Sequence, residues 1–353
     1  MIDIHVHLRD WEQSSKETVD HGLAVAYKAG IRRVFDMPNT NPPLTTREAV
    51  IDRLALASDA ITKNKRKIAY SLYVGLTADV KQIKKAVSIY NELFPMVCGL
   101  KLFAGHSTGN MGLCTLKEQE LVFKTLTEEN YRGVVAVHAE KERLIDSKKY
   151  IKGKTETHSL ARPSIAEVES VKDLISLVEK TDFKGHLHIC HISVPAALDL
   201  VLASKERGVN ISAGATPHHL LLSTEDAKNN HYLKMNPPLR SEEERKALFQ
   251  ALLDGKIDNI ESDHAPHTLE DKENGASGIP CFSGMLILLH VLRKEGVSEE
   301  SLQRLFGKNV LKIFSLDDET IFLPRDIKAR LISIRNEYPF DPFEKYTKQI
   351  LAE

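Results

Sequence analysis

Four polar residues stand at alternate positions near the start of the chain: Asp3, His5, His7 and Arg9. Side chains two apart in an extended strand project from one face, so this spacing predicts paired imidazoles flanked by a carboxylate and a guanidinium. Further along, His138 ends the apolar run VVAVHAE, His191 ends HICHIS, and Asp263 stands in ESDHAPH. Imidazole and carboxylate donors without thiolates suit zinc or another borderline divalent metal. A single H-x-H pair is a weak signal among 15 histidines, and His186 and His188 form another. That second pair has the opposite strand parity to His191 and reads as partnered or helix-facing. What carries the inference is the combination of four histidines and one aspartate at separate strand ends.

Lys101 ends a further apolar run in GLKLF and would aim an ammonium at the same cluster. A buried cation beside metal ions is costly. Reaction of the neutral amine with CO2 would convert it to a carboxylate able to bridge two metals. The alternatives are a ligand for a substrate carboxylate or a side chain that snorkels outward.

These groups need a scaffold that gathers strand ends. Short β-branched runs at 2–7, 33–37, 68–74, 99–103, 134–138, 187–191, 209–213 and 259–263 read as strands. Helical periodicity lies between them at 17–28, 46–61, 80–93, 117–129, 166–179, 196–206 and 242–253. Eight strand–helix alternations predict a (β/α)8 TIM barrel, with a doubly wound open sheet as the alternative. In such a barrel, function gathers at the C-terminal strand ends, where His138, His191 and Asp263 fall. Residues 299–314 stay helical, whereas 327–334 reads as a strand and the region of Pro339, Pro342 and Phe343 as an extended arm. The expected division is therefore a barrel over 1–314 and a C-terminal extension over 315–353.

Composition narrows the partners. The 353 residues carry 48 Lys and Arg against 49 Asp and Glu, a net charge of −1, which leaves no electrostatic footprint for nucleic acid or an anionic membrane. Cys98, Cys114, Cys190 and Cys281 are scattered, without the spacing of a disulfide framework or a zinc knuckle. The first residues lack the apolar core of a signal peptide, and no run of about 18 apolar residues occurs. A soluble cytoplasmic protein acting on a small molecule is expected.

The runs IDIHVHLRD, MPNT at 37–40, GLKLF around Lys101, VHAE, CHIS, TPHHLLL at 216–222, MNPPLR at 235–240 and SDHAPH at 262–267 resemble dihydroorotase, of the amidohydrolase superfamily. The likeness extends from residue 3 to about residue 314; Arg9, MPNT and NPPLR favour dihydroorotase over hydantoinase and allantoinase. It implies two zinc ions. His5, His7 and Asp263 would hold the more buried ion, His138 and His191 the second, and carbamylated Lys101 would bridge them. It also implies that Arg9, Asn39 and His267 meet the substrate's free carboxylate, that the backbone of Leu220 reads the pyrimidine edge, and that Asn236 adds a further contact. The implied reaction is reversible hydrolysis of dihydroorotate to carbamoyl-aspartate, with a metal-bridging hydroxide as nucleophile and Asp263 as proton carrier.

The chain departs from the family in places. His5 lies almost at the first residue, so the β-sandwich of many relatives is expected to be absent or reduced to C-terminal strands; Trp11 and Glu12 follow Arg9 and Asp10 where many relatives have Pro-Gly. The loop 104–112 is small, polar and glycine-rich, which suits either a lid with Ser107 and Thr108 as donors or an ordinary connection. The rival functions are a hydantoinase or allantoinase, a silent scaffold for a partner such as aspartate transcarbamoylase, and a metal-dependent deaminase. The resemblance leaves open a homodimer as well as that association.

Overall fold

The computed structural model describes residues 1–107, 111–228 and 230–353. Eight parallel strands, β1 (Ile2–Val6), β2 (Arg33–Asp36), β3 (Ala69–Gly75), β4 (Val97–Ala104), β5 (Val134–Ala139), β6 (His186–Ile189), β7 (Ile211–Ala215) and β8 (Asn259–Ile260), form one sheet in chain order. A parallel bridge between Val6 and His264, with the His7 N–H donating to the His264 carbonyl at 2.8 Å, brings the two edges together. The expected (β/α)8 barrel is therefore observed, and the open-sheet alternative is set aside.

The helices that cover the strands are α1 (Val19–Lys28), α2 (Arg47–Lys63), α3 (Val80–Leu93), α4 (Leu116–Glu128), α5 (Ser164–Lys180), α6 (Pro195–Glu206), α7 (Glu242–Leu253) and α8 (Phe282–Lys294). Several begin where the sequence offers a cap. Thr115 with Glu118, and Ser241 with Glu244, form capping boxes at α4 and α7, satisfying backbone donors that the first turn leaves open.

Alternation along the strands sorts the core into two layers. Val34, Leu72, Val74, Leu100, Leu102, Val135 and Val137 pack outward against the helices. Ile2, Phe35, Tyr73, Cys98 and Val134 point inward near the strand starts, where Phe314 meets Phe35 edge to face at 4.9 Å between ring centres. This apolar layer closes one end of the barrel, so polar inward positions remain at the other.

The tail differs from expectation. Residues Ile327–Ile334 form a helix rather than a strand: Ile327, Leu331 and Ile334 are buried while Ile332 is half exposed, a helical spacing that packs against α1 and α8. An ion pair from Asp326 to Arg330 (2.7 Å) supports its first turn. Nor is the segment after Tyr338 a free arm, since Phe343 is fully buried and the helix Glu344–Ala352 follows it. Among the described residues all eight strands belong to the barrel sheet, so the expected C-terminal strands are not found.

Candidate metal centre and active site

β1 does not present all four alternate residues to one face. Its register shifts between Asp3 and Val6, and the Asp3 carboxylate turns to accept the N–H groups of His5 (3.3 Å) and Ser262 (3.0 Å). His5, His7 and Arg9 do share a pocket at the C-terminal strand ends, together with His138, His191 and Asp263. The pocket and its open mouth together hold about 370 Å³ of space free of protein atoms.

Backbone geometry beyond strand alternation delivers three of these groups. Arg9 (φ 43°), His191 (φ 38°) and Asp263 (φ 49°) all occupy the left-handed region, uncommon for residues with side chains and often found at functional sites. At β6 the twist lets His191 reach the pocket even though Cys190, its neighbour, already lies in the inner cluster. Around Arg9 the turn is braced by Asp36, which accepts from the Leu8 N–H (3.0 Å), Tyr70 Oη (2.7 Å) and the fully buried Arg53 guanidinium (2.7 Å), while Arg53 also donates to the Arg9 carbonyl at 2.6 Å.

The candidate donor atoms form two groups. Asp263 Oδ1 lies 3.1 Å from His7 Nε2 and 3.4 Å from His5 Nε2, and one ligand atom from each residue fits within 4.8 Å of the others. His138 Nδ1 lies 3.2 Å from His191 Nε2, and the His5 ring centre is 5.0 Å from that of His191. Burial pushes all four imidazoles down, His5 to about 4 with help from Lys101, so each is a neutral ring with a lone pair to offer. Burial also raises the Asp263 carboxyl.

Lys101 ends fully buried, with Nζ donating to Cys190 Sγ at 3.1 Å and lying 5.1 Å from the Phe103 ring centre. It does not snorkel outward. Cys190 is itself held as a neutral thiol, pushed up to about 12 by burial.

The remaining expected residues divide. Asn39 lines the pocket and sets its Oδ1 2.8 Å from His7 Nδ1, which fixes the orientation of that ring. Asn236 and Ser107 also line it, Asn236 Oδ1 at 2.8 Å from His158 Nε2. His267 is buried against Arg9, its Nε2 3.2 Å from the guanidinium and 3.1 Å from the Ser277 carbonyl. Leu220 does not line the pocket: its N–H donates to the Thr216 carbonyl and its own carbonyl accepts from Arg245 (2.9 Å). Thr108 lies outside the described residues. His186 and His188 are partnered as expected, although His188 faces inward rather than towards a helix, bonded to Ser212 (2.8 Å) and Glu261 (3.2 Å).

Two acids were missed. Glu140 is fully buried, 3.0 Å from His138 Nε2 and gripped by Arg162 at 2.6 Å; despite burial, Arg162 and His138 hold it well below the usual carboxylate range. Glu261 bonds His188 and the His191 N–H (2.5 Å) and stands 3.4 Å from His5 Nδ1. The available signal was parity, since each lies two residues from a pocket residue, Glu140 from His138 and Glu261 from Asp263. Such carboxylates orient ligating rings and raise their basicity.

No family model matches the chain. Its sequence is 33% identical over 352 residues to the dihydroorotase of Thermococcus kodakarensis, spanning 99% of this chain and 76% of that protein. It is 34% identical over 349 residues to the dihydroorotase of Pyrococcus furiosus, spanning 99% and 74%. Among solved structures, the L-hydantoinase (dihydropyrimidinase) of Arthrobacter aurescens is similar with a TM-score of 0.78 at 24% identity, over 89% of this chain and 70% of that one. The Saccharomyces cerevisiae dihydroorotase in complex with 5-fluoroorotic acid is similar with a TM-score of 0.72 at 21% identity, over 91% and 85%. At these identities the two structures speak to the fold alone, and both agree with the barrel.

Proposed function

Because the chain belongs to the dihydroorotase family, we propose that it catalyses the reversible hydrolysis of dihydroorotate to carbamoyl-aspartate in pyrimidine synthesis. The observation that carries this reading is the placement of a buried guanidinium, Arg9, in the same small pocket as four neutral imidazoles and Asp263. A neutral cyclic amide gives that cation nothing to pair with. A ring bearing a carboxylate does.

The donor set fits a pair of divalent metal ions, and zinc suits it best. His5, His7 and Asp263 would hold one, His138 and His191 the other, with Lys101 as a carbamate between them; the two facing nitrogens of His138 and His191 are well suited to a cation. The Lys101 amine is fully buried at 3.1 Å from Cys190 Sγ, and a carbamate formed on it would add a carboxylate to this donor set. When bound, such ions lower the pKa of water towards about 7 and polarise a carbonyl.

The chain's own groups do the rest. Arg9 grips the substrate carboxylate in a planar two-point contact and so fixes the ring over the ligand cluster. Asp263 accepts the proton of the attacking water and passes it to the departing ring nitrogen, with the reverse sequence in ring closure. Asn39 holds His7, and Glu140 holds His138, in the orientation their roles need. Ser107 and Asn236 offer polar contacts on the facing walls.

The test is a panel of dihydroorotate, hydantoin, dihydrouracil and allantoin with the purified metal-replete enzyme. A clear preference for dihydroorotate is expected. Preferred turnover of a ring lacking the carboxylate would assign the chain to the hydantoinase or allantoinase reading, and no turnover with full metal would favour the silent scaffold.

A further inference from the structure

Away from the ligand cluster, at the rim of the pocket, His106 follows β4, Cys114 precedes α4 and Glu142 follows β5. His106 Nδ1 lies 3.0 Å from Glu142 Oε1 and 3.2 Å from Cys114 Sγ, and the three ligand atoms are all within 4.8 Å of one another. Metal bonds of about 2.0 to 2.3 Å in a tetrahedron set neighbouring ligands roughly 3.3 to 3.7 Å apart, close to this spacing. The backbone is already braced: the His106 N–H donates to Glu142 (2.7 Å), and the His106 carbonyl accepts from Arg162 (2.7 Å).

We propose that His106, Cys114 and Glu142 form a separate binding site for a thiophilic divalent ion such as zinc. The His106 side chain is largely exposed, which leaves a fourth position open to water. Burial and the Glu142 charge raise the Cys114 thiol, so the ion displaces a proton when it binds. Nitrogen, sulfur and oxygen donors together suit zinc, cobalt or cadmium better than magnesium or calcium.

The site communicates with the pocket through two short paths. Ser107, next to His106, lines the pocket, and Arg162 binds both the His106 carbonyl and Glu140, the partner of His138. An ion on His106 therefore acts on Ser107 and, through Arg162, on Glu140, so metal in excess of the resident complement slows turnover.

The experiment titrates cobalt into purified enzyme that already carries its resident metal. A thiolate-to-cobalt charge-transfer band should appear and saturate at about one further equivalent, because the proposed resident ligands include no thiolate. Cys114→Ser should abolish the band, and His106→Ala should weaken cobalt binding by at least about tenfold. No band, or a band that survives in Cys114→Ser, overturns the site. Inhibition by excess zinc should need at least about tenfold more metal in Cys114→Ser; equal sensitivity would refute the link between rim and turnover. The band reports the thiolate alone, so its absence would leave the proposed activity untouched.

Discussion

His138 Nδ1 stands 3.2 Å from His191 Nε2, although the two residues are 53 positions apart and end different strands. Both rings are held neutral by burial, so the close approach of two nitrogens invites a shared cation. Beyond any ion held at Cys114, purified protein should carry about two zinc equivalents, falling to about one in His191→Ala. Elemental analysis after gentle purification in zinc-supplemented buffer measures this. One equivalent or none in the wild type would sink the dinuclear reading.

Asp263→Asn should reduce turnover at least 100-fold, within the roughly 10² to 10⁴ that a positioned proton carrier contributes. Much of the metal should stay, because an amide oxygen still ligates weakly while it cannot accept a proton at neutral pH. Activity above about a tenth of wild type would move the proton carrier to another residue.

Arg9→Met keeps most of the stem volume and removes the charged fork. The loss on kcat/KM for dihydroorotate should be roughly 2 to 4 kcal/mol. Any slight activity on dihydrouracil, which has no carboxylate, should hardly change. Equal losses on both rings would mean that Arg9, with its contacts to Pro266 and His267, serves the fold instead.

Glu140→Gln removes the charge that stands between His138 and Arg162. Metal affinity should fall about 10- to 100-fold, as for other groups that orient a ligating histidine. It should also destabilise the fold by roughly 3 to 5 kcal/mol, because Arg162 then lacks its buried partner. Chelator competition reads the first effect and denaturant unfolding of the metal-free protein the second. A variant that loses stability but binds metal normally would confine Glu140 to a structural part.

Lys272 is almost fully buried and donates to the carbonyls of Lys234 (2.9 Å), Ala276 (3.1 Å) and Gly278 (2.8 Å), tying two pocket loops together. Burial, with the nearby Lys234 charge, pushes its ammonium down to about 7. Between that value and the unfolded lysine value of about 10.4, the folded protein holds fewer protons than the unfolded chain. Its contribution to stability is therefore present at high pH and lost as pH falls towards 7. The melting temperature of wild type relative to Lys272→Met should climb between pH 7 and pH 10. A constant difference would show that the amine does not titrate in this range.

Local pattern was enough for the scaffold and for most of the residues that meet in the pocket. Helices at 80–93 and 242–253 are found where periodicity predicts them, and each of the eight strands lies within a few residues of its expected place. His5, His7, His138, His191 and Asp263 could be named because residue type and strand-end position are properties of short segments. What lay beyond reach depends on distant chain. The turn of Asp3 away from its alternate neighbours follows from a register shift against β2 and from Ser262. The roles of Glu140 and Glu261 rest on Arg162, His188 and His5, brought near only when the barrel closes. Residues 327–334 satisfy alternation loosely and helical spacing better, and the packing of Leu331 and Ile334 against α1 and α8 decided between them. The left-handed turns at Arg9, His191 and Asp263 are likewise unfavourable by local preference and persist because the surrounding structure holds them, so only the tertiary structure could aim those side chains into the pocket.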